Sequence, residues 1–381
     1  YDWIDNQWQL VGQPILAGVG QDVAMNQSGS ILIMGTPDFE ERKGKAAIFE
    51  FGNAPIEAET TASLNENGTL NITDTSEGDP NDELILSVIG QNLRIQNNNP
   101  ISISGNGTQQ IDANTVEVPL ASITSGIVID GGAGINTLAI ATSLSLLGTG
   151  NDLTVRNTDV RIFNTGTNNL QLNALNVYQG DYDTNGLTTT VTTAANFFDD
   201  SAIIGTGTIL GDLNMNALST IAPGTSPGIL NTGDLSLDAE SAFEVEIEGP
   251  QPGAGGHDQI IVTGTVDLGG ALLDINREIG SEYSGNPGDE LIIIDNDGTE
   301  DPIIGTFADL GEGAALTEDF IGTITYEGGD GNDVALLGPV EETSGLIITE
   351  IMYNPSSTDA NWEWIEIYNS GPETVDFGEG F

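Results

Sequence analysis

Two short loops carry the residues whose types and spacing point most directly to chemistry. The first is "GGDGNDVAL" over 328–336, where Asp330 and Asp333 follow a pair of glycines. Glycines of this kind let backbone carbonyls turn inward, so that two carboxylates and several carbonyl oxygens can face one hard cation such as Ca2+. The second is "DNDGTED" over 295–301, which places Asp295, Asp297, Glu300 and Asp301 on one loop. Both loops are candidate calcium sites, and both have a plainer reading as a glycine-rich or solvated turn between two strands. His257-Asp258 is the one place where an imidazole meets a carboxylate in sequence. A single histidine without cysteines excludes a histidine-cluster or thiolate zinc site, and "PGAGGHDQI" reads as a loop entering a strand at Ile260–Val262. Paired carboxylates can hydrolyse glycosides without histidine. Cleavage of acidic polysaccharides also needs a basic residue to hold the uronate, and the middle of the chain offers Arg94, Arg156 and Arg161. Trp362 and Trp364, two positions apart, share one face of a strand, where they serve either as core or as a platform for a ligand.

These residues sit in an unusual electrostatic setting. Among 381 residues there are 58 Asp and Glu against seven Lys and Arg, for a formal charge of -51. Such a chain repels DNA, RNA and anionic lipid at long range, which leaves divalent cations as the better-matched class of partner. There is no cysteine, so disulfide and thiol chemistry are excluded together. The apolar fraction of 38% falls in short alternating runs separated by turn glycines, the signature of strands rather than of an acidic disordered tail. Those runs are too short for a helical membrane span. The chain opens on Tyr1-Asp2-Trp3 rather than on Met and stops at Phe381 inside what reads as a further domain. It is therefore expected to be a window on a longer polypeptide.

The elements that must position the loops divide into sections. Residues 1–52 contain three short runs, in "QWQLVGQPI", "DVAMNQSGSILIMGTP" and "GKAAIFEF", with Gln27-Ser28-Gly29 as a tight turn, which predicts an antiparallel meander. Residues 54–210 form a train of short β-runs with almost no helical period. An echo of Asn followed by an apolar strand recurs at Asn136, Asn151 and Asn168. This predicts a β-solenoid in which each turn of chain buries its strand face against the next, with Asn side chains aligned in ladders at the turns. An irregular sandwich is the alternative. Residues 211–337 keep the alternation, most cleanly in "FEVEIE", where Phe243, Val245 and Ile247 point inward and Glu244, Glu246 and Glu248 outward. Residues 338–345 read as a linker, and 346–381 as two strands of a further domain.

Several of these sections resemble known families. Trp8, Gly12, Ile15, Asp22, Val23, Gly29, Gly35 and Pro37 resemble one blade of an FG-GAP-like propeller. The ordered series "APGTSPGIL", "HDQIIVTGTVDLGGAL", Gly305-Thr306-Phe307 and "YEGGDGNDVAL" resembles the module that closes the passenger β-helices of autotransporter-like surface proteins. Ile348, Glu350, Ile351, Asn354 and Pro355, then Glu363 to Ile367 and Asn369, resemble the opening strands of a lamin-tail domain. "GGDGND" is similar to a calcium-binding nonapeptide repeat, though only one good copy is present; "GGAGIN" at 131–136 has Asn136 in place of the aspartate. "DNDG" begins like an EF-hand loop, but the glycine arrives too early and the closing glutamate is missing. These resemblances imply an all-β mosaic from a bacterial extracellular or cell-surface protein. Its expected role is a non-catalytic structural or adhesive scaffold whose partners are surface proteins or glycans. A β-helix polysaccharide lyase or hydrolase, and an accessory region of a large secreted nuclease, are the alternatives.

Overall fold

Alternating apolar residues commit this chain to strands, and the way the strands pair decides where its loops meet. A computed structural model describes residues 2–4, 7–9, 22–25, 31–38, 43–50, 58–75, 81–146, 150–162, 169–224, 227–277, 283–297, 301–340, 345–352, 364–371 and 374–375. The fold is all-β with large mixed sheets, and it divides into two compact units, Tyr1–Glu57 and Ala58–Phe381. In the first unit, Asp2–Ile4 pairs antiparallel with Gln7–Gln9, with Trp3 opposite Trp8. Asp22–Met25, Ile31–Asp38 and Lys43–Glu50 form an antiparallel meander in chain order; the turn at Gln27-Ser28-Gly29 lies outside the described residues.

The second unit is built from three ladders of parallel strands. The first ladder stacks Leu70–Asp74, Ile127–Asp130, Leu153–Arg156, Leu175–Tyr178, the end of Thr188–Phe198, the end of Thr208–Met215, Leu235–Leu237 and Val266–Asp267. The second stacks Glu83–Ile89, Thr137–Ile140, Asp159–Ile162, Asp181–Asp183, Ala202–Gly205, Thr220–Pro223, Ala242–Ile247 and Leu272–Arg277. The third runs from Leu144–Ser145 through Asn169–Leu172, the starts of Thr188–Phe198 and Thr208–Met215, Ile229–Thr232 and Gln259–Val262 to Glu290–Asn296. From Ile127 onward the chain visits the ladders in this order and returns to the first, so a strand's neighbour is the strand one circuit away. Strand Thr208–Met215 lies across the expected boundary at residue 211, and the ladders pass it without a break.

Register puts equivalent residues on top of one another. Leu70, Ile127, Leu153, Leu175, Ala195, Leu213, Leu235 and Val266 form one inward row, all fully buried. Leu84, Leu138, Val160, Tyr182, Ile203, Ile221 and Phe243 form another. One corner between the first and second ladders is turned by residues in the left-handed region: Asn157, Gln179 and Asp199. The amide of each of these donates to the circuit stacked on it, at Tyr178, Asp199 and Ala217 in turn. Both ends of the stack switch to antiparallel pairing. Thr60–Leu64 folds back on Leu70–Asp74, and Asn92–Gln96 lies between Glu83–Ile89 and Thr115–Pro119. At the far end Glu290–Asn296 pairs with Asp333–Leu337, which pairs with Ile321–Gly328. These hairpins occupy strand edges that would otherwise be open for pairing with other chains.

An asparagine ladder forms, but not from the residues of the sequence echo. Asn196 donates to Asn176 at 3.0 Å and Asn214 to Asn196 at 2.8 Å, one circuit apart each time. Asn136 leads into the second ladder and Asn151 into the first, so they cannot stack; Asn168 is not among the described residues. The spacing of the echo was shorter than one circuit. Among the described residues no helix is long and apolar enough to cross a membrane. Leu346–Met352 and Trp364–Asn369 form a separate antiparallel pair whose Ile348, Ile351, Ile365 and Tyr368 are exposed.

The stacking makes a quantitative contrast between neighbours. Phe197 is fully buried and packs edge-on to Tyr182, so Phe197→Ala is expected to cost about 3–5 kcal/mol. Asn196→Ala removes two partly exposed side-chain hydrogen bonds and should cost about 1–2 kcal/mol. Urea unfolding of both variants measures the difference; equal losses would contradict the inward placement of Phe197.

Candidate functional site

Antiparallel pairing at the far end of the stack brings the two acidic loops together. Ile294 is opposite Val334, so the loop after Asn296 and the turn before Asp333 lie at the same end of their strands. Asp333 is buried; its Oδ1 accepts the Asn296 N–H at 2.8 Å and its Oδ2 the Asp330 N–H at 3.4 Å. Glu290 Oε1 accepts the Gly329 N–H at 2.8 Å. The amide nitrogens of Asn296 and Asn332 both donate to the Asp301 carbonyl, at 2.8 and 3.2 Å. Both asparagines are buried, and both side-chain oxygens lack a partner. Burial, then the charges of Asp330 and Asp297, push the Asp295 carboxyl above its ordinary value. Burial likewise raises Asp333, against the stabilising Asn296 N–H and with the charges of Asp295 and Asp330 adding to it. Asp297 and Asp330 are exposed, and Glu300 lies outside the described residues. Among the described residues no three Asp, Glu, His or Cys side chains converge as a metal cluster. Sequence reasoning treated the two loops as separate sites and did not single out Asn296 or Asn332.

His257 and Asp258 are buried with separate backbone partners. His257 Nδ1 lies 3.3 Å from the Gly249 carbonyl and Nε2 3.1 Å from that of Ile292, and burial pushes its pKa down. Asp258 accepts the Gly228 N–H at 2.6 Å and the Glu246 N–H at 2.8 Å, and it ties three segments together. Burial raises its pKa to about 7, outweighing those two hydrogen bonds. These bonds anchor the start of strand Gln259–Val262 in the third ladder.

The outward face of the second ladder holds a groove of about 460 Å3 lined by Glu83, Ile85, Asp159, Arg161, Asp181 and Asp183 among others. Its charges arise from a simple pattern: in "DVR" and "DYD" the central Val160 and Tyr182 point inward, so the flanking charges point outward. Arg161 Nε pairs with Asp183 at 3.2 Å. Asp159 accepts the Asp181 N–H at 3.0 Å, and burial, then the charge of Asp159, raises the Asp181 pKa. The other arginines of the middle section face elsewhere. Arg156 lies 3.8 Å over the Tyr178 ring, which stacks on Phe198 at 4.6 Å. Arg94 makes two hydrogen bonds to Glu117. Trp364 is exposed on its strand pair, and Trp362 lies outside the described residues.

No protein-family model matches the chain, no curated protein matches it, and no solved structure matches it.

Asp258 gives the fold a pH dependence of definite sign. Its folded pKa is raised, so between about pH 4 and pH 7 the native state holds a proton that the unfolded chain releases. The resulting stabilisation is complete below the unfolded pKa and is lost as pH rises through about 7. The urea midpoint is expected to fall between pH 5 and pH 8. Asp258→Asn should flatten that fall, and an unchanged slope in the variant would assign the pH dependence to other groups.

Proposed function

We propose that residues 54–337 are a β-solenoid with its closing module, serving as a non-catalytic structural or adhesive scaffold within a large bacterial extracellular or cell-surface protein. The observation that carries this reading is the in-register stacking of equivalent apolar rows, such as Leu153, Leu175, Ala195 and Leu213. A stack of this kind repeats one strand face and holds outward side chains at a fixed spacing, which suits display of a surface to neighbouring proteins or glycans. The engagement of Arg94, Arg156 and Arg161 with Glu117, Tyr178 and Asp183 supports it further, because a uronate would have to displace an existing partner. On this reading the meander of residues 1–52 belongs to a propeller-like domain and the strand pair after residue 345 to a lamin-tail-like sandwich. The acidic outward rows keep the scaffold soluble and away from nucleic acid.

One observation favours a second reading as a polysaccharide lyase or hydrolase: Asp159 and Asp181 neighbour each other in a groove that also holds Arg161. The two readings separate in one experiment. The protein is incubated with neutral and acidic polysaccharides while new reducing ends and unsaturated uronate absorbance are followed. The scaffold reading expects neither signal. Cleavage that disappears in Asp181→Asn would overturn it in favour of the groove. Surface display is checked by protease treatment of intact producing cells, with complete resistance counting against an exposed location.

A further inference from the structure

We propose that the strand end at Asp295 and Asn296 and the turn at Asp330–Asp333 form one shared site for a divalent cation, with Ca2+ as the ion it takes. The site is distinct from the groove, and it does not depend on the solenoid reading.

Four buried asparagine oxygens lack a hydrogen-bond partner among the described residues, those of Asn97, Asn151, Asn296 and Asn332, and the last two belong to side chains that share the Asp301 carbonyl. Asn296 is 1% exposed and Asn332 3% exposed, and the side-chain oxygen of each has no hydrogen-bond partner. A buried amide oxygen without a donor costs about 1–3 kcal/mol, and native folds rarely leave one so. Turning either amide over is no remedy. Both amide nitrogens donate to the Asp301 carbonyl, and a flip would press the oxygen against that carbonyl. The orientation of both amides is therefore fixed by one acceptor, and each is left with an oxygen that has no donor.

The second part is uncompensated charge. Asp295, Asp330 and Asp333 lie on the two joined loops, and among the described residues no Lys or Arg forms an ion pair with any of them. Asp333 cannot move away, because its two oxygens hold the N–H groups of Asn296 and Asp330. Its place is reserved by glycine as well: a Cβ on Gly329, which has φ +56°, would collide with the Asp333 carboxylate oxygen. The fold thus ties the two acidic loops together through Asp333 and the Asp301 carbonyl, and leaves two buried amide oxygens there without donors.

A divalent cation supplies both deficits at once. The donors are all oxygen, some charged and some neutral, which is the set that hard cations take; zinc would call for nitrogen or sulfur. Irregular geometry from a strand end and a glycine turn suits Ca2+, which tolerates varied coordination, better than Mg2+, which demands a near-ideal octahedron. The bound ion would tie Glu290–Asn296 to the hairpin that covers the end of the third ladder. It would thereby stabilise the closing edge of the stack.

The test is Ca2+ titration of the full chain by calorimetry at fixed ionic strength, with thermal melts in Ca2+ and in chelator. Asp330 is exposed and bonds only through its backbone to Asp333, so Asp330→Asn should fold normally. The expected result is one saturable site and an upward melting shift. Affinity should fall about tenfold or more in Asp330→Asn and in Asn332→Leu, and should be unchanged in Asp181→Asn, which lies in the groove. Circular dichroism confirms that each variant is folded. Weak, non-saturating uptake that is equal in all four proteins would overturn the site, as would saturable binding that keeps full affinity in Asp330→Asn and Asn332→Leu. Either result leaves the scaffold reading to the cleavage experiment.

Discussion

A parallel strand with one buried face can satisfy its backbone only through neighbours on both edges, and in the second unit those neighbours lie one circuit away in the chain. This constraint explains features that look unrelated. The circuit need not have a constant length, because only the register at each ladder matters: Leu153 meets Leu175 and Leu175 meets Ala195 with different numbers of residues between them. Extra residues can be absorbed where the chain crosses between ladders, as between Leu272–Arg277 and Glu290–Asn296. What cannot vary is the inward row, since a shift of one residue would exchange every buried side chain for an outward one.

The same constraint sets what was legible in the sequence. Strand identity was, because alternation is local: Phe243, Val245 and Ile247 are buried as their spacing required. Pairing was not, because partners sit roughly twenty positions away at unequal intervals, and the short Asn echo misled. Its members Asn136 and Asn151 lead into different ladders, while the aligned residues Asn176, Asn196 and Asn214 gave no turn signal, being placed mid-strand. The acidic loops were visible as two loops because each is contiguous. Their meeting was hidden because it depends on the antiparallel register of Ile294 with Val334. The groove was hidden for a related reason: Asp159 with Asp181 and Arg161 with Asp183 become neighbours only when successive circuits are stacked.

Buried polar groups mark both ends of the stack. At the first end Asp82 is buried, and its carboxylate accepts from Thr60, Asn97 and Asn99 while its own N–H donates to Asn136. That network joins the first hairpin to the next circuit through Asp82 and the side chains of Thr60, Asn97, Asn99 and Asn136. Asp258 does the same for Gly228 and Glu246 further along. In both cases a carboxylate substitutes for a missing ladder bond where the chain must change direction. At the far end Asp333 plays this part for Asn296 and Asp330, and each end keeps unpaired asparagine oxygens, that of Asn97 at the first and those of Asn296 and Asn332 at the far one.

In-register stacking also amplifies charge. Residues on the outward face of a parallel ladder sit about 4.8 Å from their equivalents on the next strand, so like charges in one row repel along the whole stack. The second ladder shows the conflict: the Asp181 carboxyl is raised by burial and then by Asp159, and Glu244 is raised by burial and then by Asp274, Glu246 and Asp181. Arg161 relieves it at one point by pairing with Asp183 in the next strand. With 58 acidic residues against seven basic ones, side chains of opposite charge cannot balance the rest. The remaining compensation must come from ions in solution, which act weakly on exposed rows and most strongly where carboxylates are buried and held in place. Asp333 meets both conditions, fixed beneath the hairpin by two backbone amides. The regular stack therefore carries most of its charge as a screened outer surface, and the buried carboxylates of Asp82, Asp258 and Asp333 are each held in place by hydrogen bonds.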